Sequence, residues 1–96
     1  MKVRVTARAK ADISALFRLI QSYDETAALT FLTKINRGFE TLAEFPESGQ
    51  LSPEFGQGIR RKTISLTLVF YRIDDDALLI LRAIDGRMDL LPQFRK

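Results

Sequence analysis

Few groups in this chain can make or break a bond. It has no cysteine and no histidine. Thiol nucleophiles, imidazole acid-base chemistry, Ser-His-Asp triads, disulfides and Cys/His metal or haem sites are therefore excluded. Arginine, lysine, tyrosine and carboxylate remain. Arg60-Arg61-Lys62 follows Gly56-Gln57-Gly58, an order that invites comparison with a phosphate-binding loop. Such a loop needs glycine directly before Lys-Ser/Thr and a helix after it, so that backbone N–H groups aim at phosphate. Here Arg61 precedes Lys62-Thr63 and a strand-like run follows. In a strand, Arg60 and Lys62 share one face and Arg61 takes the other, so the three cannot act as one cluster. They suit contact with acidic groups or phosphate, or a solvated edge whose charges discourage aggregation.

Asp74-Asp75-Asp76 has the composition of a metal site but the context of a hairpin turn, because Asp tolerates left-handed backbone and Asp85 emerges at the opposite end of the next strand. No metal or cofactor is expected. Neither Tyr23 nor Tyr71 has a sequence neighbour that would bring a phenol pKa toward neutrality, so both read as core or sheet residues. Arg82 is the most unusual single residue. It lies mid-strand among Leu79, Ile80, Leu81 and Ile84, where arginine is tolerated only if its head reaches solvent, a carboxylate or a partner. The last apolar run closes on Gly86-Arg87-Met88-Asp89, with glycine allowing a sharp exit.

The elements that must position these groups are readable from periodicity. Residues 2–6 alternate as a short strand with Val3 and Val5 inward. A helix over 8–23 carries Ala9, Ile13, Leu16, Phe17 and Ile20 on one face, and Asp24 caps a second helix over 25–44 with Ala28, Leu32, Ile35, Phe39 and Leu42 in its stripe. Pro46 and Gly49 forbid continuation, 47–58 is loop, and strands follow at 59–65, 66–73 and 77–84. The expected fold is α+β in the order β-α-α-β-β-β: an antiparallel helical hairpin packed on one face of a small, mainly antiparallel, twisted sheet.

With 96 residues, one domain over 1–96 and one main core are expected. A chain this size buries only about 60 to 65% of its unfolded surface, which implies stability on the order of 5 to 10 kcal/mol. The net charge of +3 permits an acidic partner or a polyanion without demanding one. The start MKVRVTARAK has no apolar signal core and no run approaches a membrane span, so a cytoplasmic protein without membrane contact is expected. If 74–76 form a three-residue turn, Ile73 faces Ala77. One sheet face then collects Val69, Tyr71, Ile73, Leu79 and Leu81, and the other Leu68, Phe70, Arg72, Leu78, Ile80 and Arg82. A slip of one residue regroups the strands but leaves both faces largely apolar. Two helices can cover only one of them, so Phe70, Arg72, Ile80 and Arg82 are expected on a face that a partner chain covers.

Several segments, in order, resemble the RelE/ParE superfamily of type II toxins: Arg8-Ala9-Lys10-Ala11-Asp12-Ile13, Leu42 with Pro46 and Gly49, Gly58-Ile59-Arg60-Arg61, Val69-Phe70-Tyr71-Arg72-Ile73, and Ile80-Leu81-Arg82-Ala83-Ile84 followed by Gly86-Arg87-Met88-Asp89. The likeness spans nearly the whole chain. It implies a toxin whose sheet is wrapped by an antitoxin segment. RelE-like members are ribosome-dependent mRNA endonucleases, whereas ParE-like members poison DNA gyrase without a nuclease site. The third-strand arginine of RelE-type enzymes falls at Thr67, their C-terminal tyrosine near Gln93 or Phe94, and only Arg87 matches a catalytic position. The ParE-like segments are well kept, except that Asp85 stands where histidine is usual. The resemblance therefore implies a non-enzymatic ParE-type toxin, without cofactor, in hetero-oligomer with a ParD-like or other DNA-binding antitoxin and acting on DNA gyrase. Direct sequence-specific nucleic-acid binding is not expected. Arg60, Arg61, Asp85, Gly86, Arg87 and Met88 join the expected partner surface. The rivals are a RelE-like RNase and an inactive member that serves only as antitoxin partner.

Overall fold

The computed structural model describes residues 1–86. Strand β1 (Lys2–Val5) leads into helix α1 (Ala7–Gln21), then helix α2 (Glu25–Glu44), strand β2 (Gln50–Leu51), a 3-10 turn (Pro53–Phe55), and strands β3 (Arg60–Ile64), β4 (Thr67–Asp74) and β5 (Ala77–Asp85). Both helix starts have a chemical cause. The Thr6 hydroxyl accepts from the Ala9 N–H at 3.2 Å and donates to the Ile80 carbonyl at 2.9 Å, so one side chain caps α1 and ties it to β5. Asp24 accepts from the Ala27 N–H and caps α2 as its sequence position suggested.

The five strands form one sheet in the order β1-β5-β4-β3-β2, with β1 parallel to β5 and the other pairs antiparallel. The two-residue β2 arises inside the segment expected to be loop. The β4–β5 turn is tighter than expected. Asp74 pairs with Ala77, leaving Asp75 and Asp76 at the tip with Asp75 at a φ of 53°, and Ile73 therefore faces Leu78. A bulge follows, with Tyr71 opposite Ile80 and Phe70 opposite Arg82, so Leu81 is left over. The short turn and the bulge move side chains between faces. Leu78 and Ile80 join Val69 and Tyr71 under the helices, whereas Leu79 and Leu81 lie on the far face.

The main core lies between the helical hairpin and the sheet. Ile35, Phe39 and Leu42 of α2 meet Val69, Tyr71, Leu78 and Ile80, with Ile13, Leu16 and Phe17 of α1 packed at the side. Each of these large side chains contributes about 1.5 to 3 kcal/mol when fully buried. Gly38 on α2 lets Ile64 of β3 come close, since a Cβ there would fall 2.5 Å from the Ile64 Cδ1. A smaller cluster forms on the far face, where Ile59, Phe70 and Ile84 are buried with Phe55, Leu68 and Leu81 against them. Phe55, on the 3-10 turn, stacks at a tilt on Phe70 with ring centroids 4.9 Å apart. Part of the far face is thus covered by the chain itself. Among the described residues no helix is long and apolar enough to cross a membrane.

Candidate partner-binding face

The strands carry five arginines, and the sheet divides them into two kinds. Arg60 and Arg82 are held within the chain. Arg60 pairs across β3 and β4 with Tyr71, on the helix side, and its Nη1 donates to the carbonyls of Gly49 at 2.9 Å and Glu47 at 3.3 Å. It stitches the loop after α2 onto the sheet. The Arg82 Nε donates to the Asp12 Oδ2 at 2.7 Å and its Nη2 to Oδ1 at 3.2 Å, with the two side chains only 11% and 14% exposed. The same Oδ2 accepts the Ala83 backbone N–H at 3.0 Å. Because β1 ends where Val5 pairs with Ile80, β5 is an edge strand from there on, and Asp12 satisfies that edge.

Arg4, Arg61 and Arg72 are the second kind. None of them makes a hydrogen bond or ion pair with any described residue. Alternation and register place all three on the far face. Val3 and Val5 pack into the main core, so Arg4 points away from it. Arg4 pairs with Leu79, which pairs with Arg72, so the three form one row across β1, β5 and β4. Arg61 lies opposite Phe70 on the same face. Arg4 and Arg72 are exposed, and Arg61, Leu79 and Leu81 are half-buried. The arrangement is cations around an apolar ridge, suited to binding an acidic amphipathic surface.

Neither tyrosine is placed for acid-base work. Tyr71 is fully buried, and its hydroxyl donates to the Pro46 carbonyl at 2.7 Å and accepts from the Gly49 N–H at 2.8 Å. Burial raises its pKa above the ordinary phenol value, and the Gly49 bond opposes that rise. Tyr23 is 85% exposed, just after α1. No three of the Asp and Glu side chains among the described residues converge as a metal site. A groove of about 570 Å³ opens between the tip of the helical hairpin and the β3–β4 turn, lined by Leu16, Ile20, Phe31 and Leu66 among others. Leu66 is 73% exposed there at a φ of 65°.

The expected partner surface is therefore redrawn. Arg61 and Arg72 lie on the open face. Phe70 lies on that side but has no exposed area, since the local cluster covers it. Ile80 is corrected to the main core, where the tight turn sends it. Arg60 and Arg82 are corrected from partner contacts to internal anchors, because carbonyls and the Asp12 carboxylate of the same chain occupy them. Asp85 is half-buried at the end of β5, opposite Thr67 and beside the groove, and Gly86 is exposed with its N–H on the Leu66 carbonyl at 2.9 Å. Arg87 and Met88 lie outside the described residues. Arg4, Leu79 and Leu81 were missed. The signal for Arg4 was present in its alternation with Val3 and Val5, whereas Leu79 and Leu81 depended on a turn length and a bulge that periodicity does not carry.

Three findings place the chain among known proteins. The family model described as the ParE toxin of the type II toxin-antitoxin system, parDE, matches residues 3–90. The protein called Toxin ParE3 of Caulobacter vibrioides is 29% identical over 92 residues, 95% of this chain and 92% of that relative. A solved structure described as the chromosomal ParDE TA system from P. aeruginosa is similar with a TM-score of 0.77 and 22% identity, covering 88% of this chain and 95% of that one. That last likeness shows the same fold, two helices on a mixed sheet.

Proposed function

This chain belongs to the ParE toxin family of type II toxin-antitoxin systems, and from that premise we propose that a cognate antitoxin covers its far sheet face and that the uncovered toxin inhibits DNA gyrase by binding. The observation that carries the antitoxin half is the set of arginines without a hydrogen-bond or ion-pair partner among the described residues, Arg4, Arg61 and Arg72, beside the half-buried Leu79 and Leu81. An apolar ridge rimmed by unanswered charge is a surface that gains from a partner.

Binding, with no catalytic step, is favoured by what the described groups are already doing. Cleaving RNA through its 2′-OH needs a proton acceptor, a proton donor and positive charge on the phosphate, each within hydrogen-bond reach. The buried Tyr71 hydroxyl is occupied by Pro46 and Gly49. Thr67, where the resemblance would put a nuclease arginine, is itself buried. Arginine and lysine at ordinary pKa are poor bases near neutrality.

The test is expression of the chain without antitoxin, followed by three readouts. Growth arrest, a DNA-damage response and inhibition of supercoiling by purified gyrase are expected. Codon-specific mRNA breaks on ribosomes with gyrase unaffected would replace this reading with a ribosome-dependent RNase. No arrest at all would mark an inactive member.

A further inference from the structure

The far-face cations are spaced in a way that restricts what can lie on them. Arg4 and Arg72 share a cross-strand row with Leu79 between them, and two strand spacings put their Cα atoms about 9.5 Å apart. Arg61 is one strand further on, in the row of Phe70, two residues along β4 from Arg72. The span from Arg4 to Arg61 is then about 16 Å, on a line oblique to the strands.

An occupant lying across this face, away from the sheet edges, has no strand to pair with and must satisfy its own backbone groups, which an α-helix does. At a rise of about 1.5 Å per residue, helix positions i, i+7 and i+11 fall near 0, 10.5 and 16.5 Å and share one face. These match the three arginines to within the reach of their side chains. Position i+3, about 4.5 Å along, falls over Leu79. Two features favour a protein helix over a nucleic-acid backbone. Half-buried Leu79 and Leu81 gain only from an apolar partner, and exposed Asp74, beside Ala77 in the row next to Arg72, repels the evenly spaced charges of a phosphate backbone, which cannot leave that position uncharged as a helix can.

We infer that the far face takes an amphipathic helix with carboxylates at i, i+7 and i+11 and an apolar side chain at i+3 seated on Leu79. The inference rests on the proposed neutralisation by an antitoxin, whose covering segment would be that helix, and it names the chemistry this segment must carry.

The test uses the full chain and three synthetic helical peptides of about twenty residues, titrated by calorimetry. The first has Glu at i, i+7 and i+11 with Leu at i+3. The second has the same composition with the acids moved to the opposite helix face, and the third replaces Glu by Lys. The first should bind at least tenfold more tightly than the other two. The double variant Arg4→Glu/Arg72→Glu should lose at least tenfold for the first peptide and gain the third, a gain that also shows the variant is folded. Equal binding of the first two peptides, no binding of the first, or unchanged binding by the double variant would overturn the inference. Duplex DNA bound more tightly than the first peptide, and lost on the same reversals, would overturn it in favour of a polyanion site. Growth arrest by the chain expressed alone reports on the toxin reading separately, since it involves no peptide.

Discussion

The five strand arginines are used in two opposite ways, and the side of the sheet alone does not sort them. Two are answered by the chain: Arg60, on the helix side, by the carbonyls of Glu47 and Gly49, and Arg82, which starts on the side of its partner Phe70 and reaches past the end of β1 to α1, by Asp12. On the far side Arg4, Arg61 and Arg72 are answered by no described residue. An arginine's position in a strand pattern does not distinguish these cases; what decides is whether another element brings an acceptor within reach. The internal set ties separate elements together, and the outer set leaves charge for something else to neutralise. Substitutions in the two sets should therefore divide cleanly, with folding lost in one and binding lost in the other.

The largest effect on stability is expected from Asp12→Ala. It leaves the mostly buried Arg82 head without its carboxylate and the Ala83 N–H without an acceptor. Breaking one side of a buried pair costs about 3 to 5 kcal/mol, and the lower figure applies here because both side chains keep some exposure. Thermal or urea unfolding measures this directly. A loss under 1 kcal/mol would mean that the Asp12 contacts are rim contacts and would dissolve the contrast between the two arginine sets.

Tyr71→Phe comes next. It removes the donor to Pro46 and the acceptor for the Gly49 N–H, both at a buried site, and a buried group left unpaired costs about 1 to 3 kcal/mol. The loss is expected to appear as an earlier unfolding midpoint with unchanged denaturant dependence. The substitution also isolates a pH effect. Burial raises the Tyr71 pKa above its ordinary 10.0, so the folded state holds this proton more tightly than the unfolded chain does. The stability it contributes is fully present below the ordinary value and is lost as pH rises through the raised one. The melting-temperature gap between wild type and Tyr71→Phe should hold constant from neutral pH to about pH 9 and narrow above the ordinary phenol value of about 10. A gap that stays constant to the alkaline limit would show that the phenol is not protonated preferentially in the fold.

The helical hairpin and the three long strands followed from local rules: the stripes of α1 and α2, the Asp24 cap, and Pro46 as a stop. What failed had non-local causes. The faces of Leu78 to Leu81 differ from expectation because one residue of turn length inverts a period-two pattern, and the bulge at Leu81 restores it from Arg82 onward. Arg82 was expected to face a partner because its acceptor, Asp12, lies 70 residues away in sequence. The short β2 and the Phe55 contact with Phe70 depend on how a glycine-rich and proline-rich segment folds back, which no periodicity encodes. The candidate face was half visible for the same reason. Arg61 and Arg72 do lie on the open face, Arg4 is masked in the pattern by its valines, and the apolar ridge between them lies on the side opposite to the one periodicity suggests.

The smallest effect on stability is expected from Arg72→Ala, and its smallness is what makes it informative. Arg72 is exposed and bonds to no described residue, with Gly58 beside its stem and Leu79 opposite. Substitutions at such positions stay within about 0.5 kcal/mol. Any shift is the small difference between repulsion from Arg4 and Arg61 and attraction to the exposed Asp74 two residues along β4, all within about two Debye lengths at physiological ionic strength. Raising the salt should erase that shift, whereas it would barely touch the Asp12→Ala loss, whose charges are largely shielded from solvent. Paired unfolding curves for the two variants at low and high salt therefore test the division of the arginines in one experiment. If Arg72→Ala costs 1.5 kcal/mol or more without a partner present, its guanidinium has an acceptor within the chain and belongs with Arg60 and Arg82. If the cost stays near zero while binding of the antitoxin falls, the outer arginines are reserved for the partner, as the lack of an acceptor among the described residues implies.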